Sequence, residues 1–464
     1  MVPRGVVVAK FGGSLLRDSS GFITAAHEVA SLVERGYRVT AVVSAMKGVT
    51  DELIEVIEKP AAWEPRLRRI MERYYSAARG AVSSERETTA ILGELSRLFD
   101  ELFKLVWAVK MIGEVTPHAR AAIVSFGERL SAALLAATLR SQGVEAVWLD
   151  GREAGIIAEG DPWEATVDYE LSRILVREKL GPLIERRVVP VVTGFMAGTR
   201  AGRIVLLGRG GSDYTATLLG RFLGAEEVIL YTDVPGVMSS DPRRIPEARV
   251  IPKLSYAEAM ELALLGAKRM HPKTFEPLMD TDARVRITMP GAGEATIVDR
   301  KGGPPPLKAV VVTEGLSVVT VVGGGLVGRI GVAARVAGVA ARLGVNILSI
   351  MQPITETRIS LVVHCSGAEK LAAALSEELG DTISGVETEE AAAVSIVGDG
   401  LRKSSMSGDI VEKAAGLGGV KSILWAPGSP ILVVYVEPDE AWEIARALHE
   451  EVVARWPTAS PSAS

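Results

Sequence analysis

The sequence is short of cysteine and of excess positive charge. Cys365 is the only cysteine among 464 residues, which excludes an internal disulfide framework and a cysteine-rich zinc site. The chain also lacks a secretory-type apolar N-terminus, so we expect a cytoplasmic protein. A net charge of -5 argues against a nucleic-acid partner, because affinity for phosphate backbones needs clustered Lys and Arg. No apolar run reaches the roughly 18 residues that would span a bilayer, so we expect no membrane partner.

Two nucleotide-binding patterns are missing or incomplete. The P-loop pattern G-x-x-x-x-G-K-[ST] occurs nowhere, which argues against a P-loop NTPase. Gly323, Gly325 and Gly328 spell G-x-G-x-x-G between a predicted strand and a predicted helix. The acidic residue that a dinucleotide site needs about 20 positions later is absent, since that region reads NILSIM. We therefore interpret these glycines as a tight turn, not as a nicotinamide or flavin site.

The first 300 residues alternate short apolar runs with amphipathic stretches, a pattern typical of a mainly parallel sheet sandwiched by helices. The predicted strands are GVVVAK (5–10), YRVTAVV (37–43), VEAVWL (144–149), VVPVVT (188–193) and EVILY (227–231). Between the first two we expect a helix capped by Ser19 or Ser20 and ended by Gly36. Residues 60–115 interrupt the alternation with charged, helix-favouring sequence, which predicts a helical insertion. We assign residues 1–300 to one α/β domain.

The remaining chain repeats itself after a break in composition. KGGPPP (301–306) indicates a linker, which we place at 301–313. VTVVGGGL (319–326) returns 75 residues later as VSIVGDGL (394–401), each copy followed by a helix pattern and β-rich runs. This period predicts two ferredoxin-like βαββαβ modules, at 314–388 and 389–456, followed by a disordered tail at 457–464.

Two glycine-rich turns of the first domain follow predicted strands and carry charged neighbours. They are KFGGS (10–14) and GRGGSD (208–213), and the second opens a predicted helix over 214–223 that ends at Gly224. Glycine lets backbone amides approach phosphate oxygens, and helix N-termini attract anions. A single Gly-Gly pair is more often a plain turn, and Lys10 alone would be a surface lysine. Two such loops at strand ends fit the rule that open α/β sheets bind ligands beyond the carboxyl ends of their strands.

Several motifs together resemble the aspartokinases of the amino acid kinase superfamily, in the same order and at similar spacing. They are KFGGS (10–14), SAMKGVTDEL (44–53), SFGERLS (125–131), GFM (194–196), GRGGSDYT (208–215), YTDVPG (231–236), SDPR (240–243) and LGAKRMHP (265–272). The repeated modules resemble the ACT domains of this family. The resemblance implies transfer of the ATP γ-phosphoryl group to the β-carboxylate of L-aspartate. The product, 4-phospho-L-aspartate, begins lysine, threonine and methionine synthesis.

The chemistry of that reaction suits a site without a catalytic histidine. A carboxylate is already ionised at pH 7, so the nucleophile needs no general base. The task is to bring two anions together, and the resemblance assigns this to ATP, Mg²⁺ and cationic side chains. The Mg²⁺ ion is expected to be held mainly by phosphates, with Asp213 as a candidate ligand. His271 is interpreted as a structural turn residue.

The resemblance assigns roles to individual residues. The catalytic residues are expected to be Lys10 and Asp213, with Asp213 holding Lys10 or the metal in place. The expected aspartate-binding residues are Ser44, Glu128 for the α-ammonium group, Arg209 for the α-carboxylate, and Ser212. The expected nucleotide-binding residues are Lys10, Gly12, Gly13, Ser14, Thr232, Asp233, Met238, Arg243 and Lys268. Leu15 and Met238 depart from the residues common in the family.

The ACT pair implies feedback control by an amino acid bound between modules, usually across a dimer. The expected regulatory contacts are Leu326, Val327, Gly328, Gly331, Asn346, Ile347 and Gln352. The effector is left open between lysine, threonine and none, and the alternative is a dimerisation module without an effector. We expect a homodimer or larger homo-oligomer.

Two other functions remain as alternatives. One is another amino acid kinase that acts on glutamate, a carbamate or a nucleotide monophosphate, against which the SFGER motif and the ACT repeats argue. The other is a non-catalytic amino-acid sensor, against which the presence of Lys10 and Asp213 argues. We expect no fused homoserine dehydrogenase, which would need several hundred more residues.

Overall fold

The computed structural model describes residues 4–59, 63–266 and 271–456, and the chain divides into two compact units. The first unit comprises residues 1–237 and 250–303, and the second comprises residues 238–249 and 304–464. The sequence-based division placed all of residues 1–300 in one domain. The structure differs at residues 238–249, which belong to the second unit.

The first unit alternates strands and helices along the chain. Its strands are β1 (Val6–Phe11), β2 (Arg38–Val43), β3 (Ala146–Leu149), β4 (Ala158–Glu159), β5 (Thr166–Val167), β6 (Val189–Thr193), β7 (Met196–Gly198), β8 (Ile204–Leu206), β9 (Glu227–Tyr231), β10 (Lys253–Ser255), β11 (Arg284–Thr288) and β12 (Ala295–Asp299). Its helices are α1 (Ser19–Glu34), α2 (Val49–Glu58), α3 (Trp63–Ala81), α4 (Glu85–Ile112), α5 (Pro117–Val124), α6 (Phe126–Ser141), α7 (Tyr169–Glu185), α8 (Gly211–Leu223) and α9 (Tyr256–Leu264).

The strands form a mainly parallel sheet, which confirms the predicted fold class. In the described residues the strand order is β10-β12-β11-β9-β1-β2-β6-β3, and the pair β11–β12 is antiparallel. All five predicted strands are present. The central strands β1, β6 and β9 are buried along their whole length, as expected for apolar strands covered by helices on both faces.

Four neighbouring strands of this sheet end at the same edge. The order β9-β1-β2-β6 is parallel throughout, and the register places Phe11 opposite both Val43 and Tyr231. The turns that follow these strands therefore emerge side by side. They include the KFGGS turn after β1, Ser44 after β2, Gly194 after β6 and Thr232 after β9.

The helices agree with the predicted pattern, with one correction at a cap. Helix α1 is capped by Asp18 and not by Ser19 or Ser20, because the Asp18 carboxylate accepts hydrogen bonds from the backbone N–H groups of Ser20 and Gly21. The predicted insertion is helical, as α3 and α4. The stretch Pro117–Ser141 is long and apolar enough to cross a membrane, but 94% of its most apolar window is buried inside the protein. This stretch comprises α5 and α6, and α6 is a core helix of this unit.

The second unit is built on an antiparallel sheet with helices. Its strands are β13 (Ala309–Val322), β14 (Ser349–Met351), β15 (Arg358–His364), β16 (Gly385–Val397), β17 (Val420–Trp425) and β18 (Ile431–Val436). Its helices are α10 (Val332–Arg342), α11 (Cys365–Leu379), α12 (Ser404–Ala415) and α13 (Ala441–Ala454). The strand order is β14-β15-β13-β16-β18-β17 in the described residues.

The two predicted modules share their long strands. Residues 316–322 of β13 pair with β15 and with 385–391 of β16, whereas residues 309–313 of β13 pair with 393–397 of β16. The prediction that 301–313 is a linker is therefore wrong for 309–313, which form a strand beside the second module. The apolar sequence AVVVT fits a buried strand, but the preceding prolines concealed it. The predicted tail, 457–464, lies outside the described residues.

The glycines of the repeated turns have a packing role. A Cβ added to Gly323 would lie 2.7 Å from the Cα of Ile383, and one added to Gly398 would lie 2.6 Å from the Cα of Leu307. Both copies therefore need glycine for close approach of a neighbouring backbone. This is a physical reason for the G-x-G pattern that involves no dinucleotide.

Candidate functional site

A lysine and an aspartate from the two glycine-rich turns meet at the carboxyl edge of the sheet. Lys10 is near the end of β1, Asp213 is in the first turn of α8, and Lys10 Nζ lies 2.5 Å from Asp213 Oδ1. The side chains are only 11% and 17% exposed. Gly210 precedes α8 with a φ of 75°, a left-handed conformation that allows the abrupt start of this helix. The structure thus brings together the two residues predicted to be catalytic.

The KFGGS turn passes very close to the segment that follows β2. A Cβ added to Gly13 would lie 2.7 Å from the carbonyl oxygen of Ala45, which is backbone and cannot move aside. A Cβ added to Gly12 would lie 3.3 Å from Lys10 Nζ, so the lysine folds over its own turn. Glycine at both positions leaves room for a ligand beside the Lys10 ammonium group.

A buried carboxylate lies behind the segment that follows β2. Glu128, in the first turn of α6, is 3% exposed, and its Oε1 accepts a hydrogen bond from Ala45 N–H at 3.1 Å. Among the described residues, its Oε2 has no hydrogen-bond partner. Burial raises the pKa of Glu128 to about 8. We call Ser44, Ala45 and Glu128 the buried side of the site, which is suited to a cationic group of a ligand.

The GFM motif places Gly194 against the start of α8. A Cβ added to Gly194 would lie 2.6 Å from Ser212 Oγ. Phe195 has a φ of 68°, which is unfavourable for a non-glycine residue, and its N–H donates to Thr215 Oγ1 at 3.1 Å. This contact fixes the turn after β6 beside Ser212, one of the predicted aspartate-binding residues.

The turn after β9 is more exposed. Thr232 N–H donates to Thr288 O at 2.9 Å, and Arg17 Nη2 lies 3.6 Å from Asp233 Oδ2. Their side chains are 53% exposed for Arg17 and 23% for Asp233. A cavity of about 250 Å³ is lined by residues that include Ser14, Arg17 and Asp233. We call Arg17, Thr232 and Asp233 the open side of the site.

An aromatic stack holds the turns after β1 and β9 together. Phe11 and Tyr231 are opposite each other in the register, and their rings are parallel within 4° at a centroid distance of 4.9 Å. The Tyr231 hydroxyl donates to Glu28 Oε2 at 2.8 Å, and Glu28 Oε1 accepts Gly291 N–H at 2.9 Å. Glu28 of helix α1 therefore links the end of β9 to the turn after β11, next to the open side.

Arg209 directly precedes Gly210 in the turn before α8. It is exposed, and among the described residues no ion-pair partner faces its guanidinium group. The neighbouring Gly210 is covered by His271, since an added Cβ would lie 2.5 Å from the Cβ of His271. His271 caps the short turn Pro272–Thr274, as predicted for a structural residue. Nearby, Lys273 Nζ lies 2.5 Å from Glu164 Oε1.

Three predicted nucleotide-binding residues lie outside the described part of the first unit. Met238 and Arg243 belong to the second unit, where Arg243 Nη2 lies 2.5 Å from Asp241 Oδ2. Lys268 lies outside the described residues, so its position remains a prediction. The assignments of these three residues rest on the sequence motifs.

The predicted regulatory residues lie in the first module of the second unit. Gly331 caps α10, Gln352 follows β14, and Asn346 and Gln352 are exposed. Leu326 is 2% exposed and belongs to the core of this module, so its side chain is structural.

Sequence reasoning missed several residues of the site. Arg17 and Glu28 carry no motif, and their contacts with Asp233 and Tyr231 appear only when α1 folds back beside β9. Tyr74 lies in the insertion, 53 residues before Gly127, whose carbonyl oxygen accepts its hydroxyl hydrogen at 2.9 Å. Only the amphipathic pattern of α3 could have indicated that Tyr74 faces inward.

The chain is similar to two protein families and to several known proteins. The profile of the amino acid kinase family matches residues 5–289, and that of the ACT domain matches residues 319–379. The bifunctional aspartokinase/homoserine dehydrogenase of Haemophilus influenzae is 29% identical over 463 residues, covering 96% of this chain and 56% of that protein. The chain thus spans about half the length of this relative.

Two further similarities cover both chains almost completely. The lysine-sensitive aspartokinase 3 of Escherichia coli is 28% identical over 459 residues, covering 96% of this chain and 99% of the relative. A crystal structure of E. coli aspartokinase III in complex with aspartate and ADP matches with a TM-score of 0.77 and 28% identity. It covers 96% of this chain and 99% of the other.

Proposed function

Since the chain belongs to the amino acid kinase family, in its aspartokinase branch with an ACT region, we propose that it phosphorylates L-aspartate. The γ-phosphoryl group of ATP is transferred to the β-carboxylate, which gives 4-phospho-L-aspartate and ADP. The observation that carries this proposal is the Lys10–Asp213 ion pair at the glycine-rich turns.

The catalytic task is to bring anions together. The β-carboxylate of aspartate is ionised at neutral pH and attacks the γ-phosphorus as the O–P bond to ADP breaks, so no proton is removed. Lys10 contributes positive charge beside the transferring group, and Asp213 keeps the ammonium group oriented. The turn at Gly12 and Gly13 brings backbone close to the phosphates.

The acceptor has two charged ends besides its reacting carboxylate. On the buried side, Glu128 offers an unpartnered carboxylate oxygen to the α-ammonium group. Arg209 has no ion-pair partner among the described residues and is available to bind the α-carboxylate in a bidentate manner. Ser44 and Ser212 complete the proposed aspartate-binding set.

ATP and Mg²⁺ are proposed as co-substrate and metal. A structure of the similar E. coli enzyme contains ADP. Among the described residues no cluster of three or more metal-ligating side chains is present, but Mg²⁺ commonly uses one or two carboxylates plus substrate phosphates. Asp213 fits the role of such a carboxylate. The ion would neutralise phosphate charge.

The proposed nucleotide-binding residues on the open side are Thr232 and Asp233. Both directly follow β9 and are partly exposed beside the KFGGS turn. For Met238, Arg243 and Lys268, the support is the sequence motif of each. The nucleotide-binding role of these three residues is therefore to be tested by substituting each of them.

The test of the function is ATP-dependent acyl hydroxamate formation with aspartate, with glutamate and without acceptor. We expect product with aspartate only, and loss of product in Lys10→Ala. The matched control is Lys253→Ala, since Lys253 pairs with Asp299 at 3.0 Å on the outermost strand β10 and is expected to be dispensable. Product with glutamate alone would indicate a different amino acid kinase, and aspartate binding without turnover would indicate a sensor.

We further propose a cytoplasmic homodimer or larger homo-oligomer that responds to an amino acid. One relative is named as lysine-sensitive, which supports lysine over threonine as the first effector to test. Ile350 on the edge strand β14 and Ile354 just beyond it are exposed, which supports an interface at this edge. Light scattering with and without lysine or threonine tests both points, and a monomer indifferent to either amino acid contradicts them.

A further inference from the structure

The helical insertion supplies a fully buried tyrosine to the candidate site. Tyr74, on α3, has no exposed surface, and its hydroxyl makes three polar contacts. It donates to Gly127 O at 2.9 Å, accepts Met46 N–H at 3.3 Å and lies 3.0 Å from Ser131 Oγ. A single hydroxyl group therefore joins three elements of the first unit.

These partners flank the hydrogen bond that orients Glu128. Met46 follows Ala45, whose N–H donates to Glu128, and Gly127 precedes Glu128 on α6. The Tyr74 hydroxyl thus bridges the segment after β2 and the first turn of α6 immediately beside the Ala45–Glu128 contact. A Cβ added to Gly127 would lie 2.6 Å from the Cβ of Ala45, so the two backbones are already in tight contact.

A second side chain of the insertion acts on the same turn of α6. Glu101, on α4, forms a two-pronged ion pair with Arg129, with Nη1–Oε1 and Nη2–Oε2 distances of 3.0 and 3.2 Å. Arg129 directly follows Glu128, is 7% exposed as a residue, and lies over the Phe126 ring at 4.4 Å. The insertion therefore holds α6 on both sides of Glu128.

We propose that the helical insertion positions the acceptor-binding carboxylate, with the Tyr74 hydroxyl as its principal positioning group. This inference rests on the proposed function, because it assigns Glu128 to the ammonium group of aspartate. Tyr74 does not touch the acceptor. It acts by fixing the spacing between Ala45 and Glu128, so that Oε2 remains free for the ligand.

The hydroxyl and the ring of Tyr74 have separable effects. The ring packs edge-on against Phe99 at a centroid distance of 6.3 Å, and phenylalanine at position 74 would keep that contact. Loss of the hydroxyl leaves Met46 N–H and Gly127 O without this partner inside the protein. Because such groups are costly to leave unpaired, the segment after β2 should shift away from Glu128.

The experiment compares Tyr74→Phe with a matched tyrosine elsewhere in the first unit. Tyr256 is 3% exposed, and its hydroxyl donates to Ala283 O at 2.9 Å, so Tyr256→Phe removes a similar hydrogen bond. We expect Tyr74→Phe to raise the aspartate KM by about tenfold, with the ATP KM and kcat changed less than about twofold. Tyr256→Phe should leave both KM values unchanged.

Two further variants separate positioning from stability. Glu101→Gln should raise the aspartate KM in the same direction by a few fold, because a neutral amide holds Arg129 less firmly. Ser131→Ala should change it less than about twofold, since the Tyr74 contacts to Met46 and Gly127 remain. Melting temperatures of all variants are measured in parallel, so that a general loss of folding is recognised.

The outcomes distinguish this inference from the proposed function. Equal changes in both KM values, no change in Tyr74→Phe, or an equal aspartate effect in Tyr256→Phe would overturn the positioning role. If the unmodified chain binds aspartate in calorimetry without turning it over, the proposed function fails. In that case the positioning role of Tyr74 is tested by the dissociation constant for aspartate. A higher constant in Tyr74→Phe than in Tyr256→Phe supports the role, and equal constants overturn it.

Discussion

The charged side chains on the two sides of the candidate site differ in their exposure to solvent. On the buried side, Glu128 is 3% exposed and keeps one carboxylate oxygen without a partner among the described residues. On the open side, the Arg17 and Asp233 side chains are 53% and 23% exposed and lie 3.6 Å apart. A small acceptor that is fully enclosed can be selected by a desolvated carboxylate. A large ligand such as a nucleotide can instead be held by many weaker contacts at a solvent-accessible edge.

The difference follows from what covers each side. Helix α6 and the helical insertion cover the segment after β2. On the open side, α1 and the turn after β11 contact the end of β9 through Glu28. Strand β1, which carries Lys10, lies between β2 and β9 in the sheet. Lys10 therefore lies where the two sides meet, and substitutions on either side should separate acceptor effects from nucleotide effects.

The largest loss of kcat is expected for substitutions of Lys10, which lies between the two sides. Lys10→Ala should lower kcat by about 10³-fold, because a preorganised charge next to the transferring group is lost. Asp213→Asn should cause a smaller loss, since it leaves the ammonium group present but less firmly oriented. Steady-state kinetics with saturating aspartate and ATP measure both variants. Retention of kcat in Lys10→Ala would contradict the assignment.

The next effect should be confined to the buried side. Glu128→Gln removes the charge but preserves the shape, and we expect the aspartate KM to rise by about 100-fold. The ATP KM should change less than about threefold, because the hydrogen bond that Glu128 accepts comes from Ala45 on the buried side. An equal rise in both KM values would mean that the variant disturbs the whole sheet edge.

The pH dependence should also differ between the two sides. The pKa of Glu128 is about 8 in the free protein because the carboxyl is buried, and an ammonium group binds only its ionised form. Below pH 8 the aspartate KM should therefore fall about tenfold for each unit rise in pH and level off above it. In Glu128→Gln this dependence should disappear. A flat aspartate KM in the unmodified chain between pH 6 and 8 would contradict the buried carboxylate.

The same raised pKa has a consequence for stability. An ordinary glutamate carboxyl has a pKa of 4.5, whereas folded Glu128 retains its proton up to about pH 8. Between these values the folded state binds more protons than the unfolded state, so the free energy of unfolding falls as pH rises. Denaturant titrations at pH 5 and pH 8 should show a smaller fall in Glu128→Gln. If the free energy of unfolding falls equally in the unmodified chain and in Glu128→Gln, Glu128 is not the cause of the fall.

The two glycines of the KFGGS turn should respond differently to alanine. In Gly13→Ala the new Cβ meets the Ala45 carbonyl at 2.7 Å, so we expect a loss of about 1–3 kcal/mol in stability. In Gly12→Ala the nearest atom is the mobile Lys10 Nζ at 3.3 Å. That variant should fold normally but lose about tenfold in kcat through displacement of the ammonium group. The reverse ranking in melting temperature and kcat would contradict this geometry.

The smallest effect is expected at the open side. Arg17→Met removes an exposed ion pair with Asp233, a contact worth about 0.2–1 kcal/mol. The ATP KM should therefore rise only about two- to fivefold, and the aspartate KM should stay constant. High salt should reduce the difference between the two proteins, since exposed charges are screened. A change in the aspartate KM of Arg17→Met would contradict the separation of an acceptor side from a nucleotide side.

The sequence predicts the central sheet well because its strands are uniformly apolar and glycine marks their ends. The apolar runs GVVVAK and EVILY predict buried strands, and the resemblance to aspartokinases predicts that Asp213 holds Lys10 or the metal in place. The cap at Asp18 was missed because two serines follow it and offer the same chemistry. The strand at 309–313 was missed because KGGPPP directly precedes it.

Long-range packing sets the remaining features, and no local pattern encodes it. Tyr74 meets Gly127 only after α3 folds across the segment that follows β2, and Glu28 meets Tyr231 only after α1 returns beside β9. The assignment of 238–249 to the second unit likewise depends on packing, since Ile245 belongs to the core formed by β13, β16, β18 and α13. Such contacts need the fold before they can be inferred.

The most direct test of a buried acceptor side and an open nucleotide side is a crystal structure with aspartate and a non-hydrolysable ATP analogue. The aspartate ammonium group should lie within hydrogen-bond distance of Glu128 Oε2, with the terminal phosphate beside Lys10 and the Gly12–Gly13 backbone. Aspartate bound elsewhere, with Glu128 Oε2 still lacking a partner, would contradict this account.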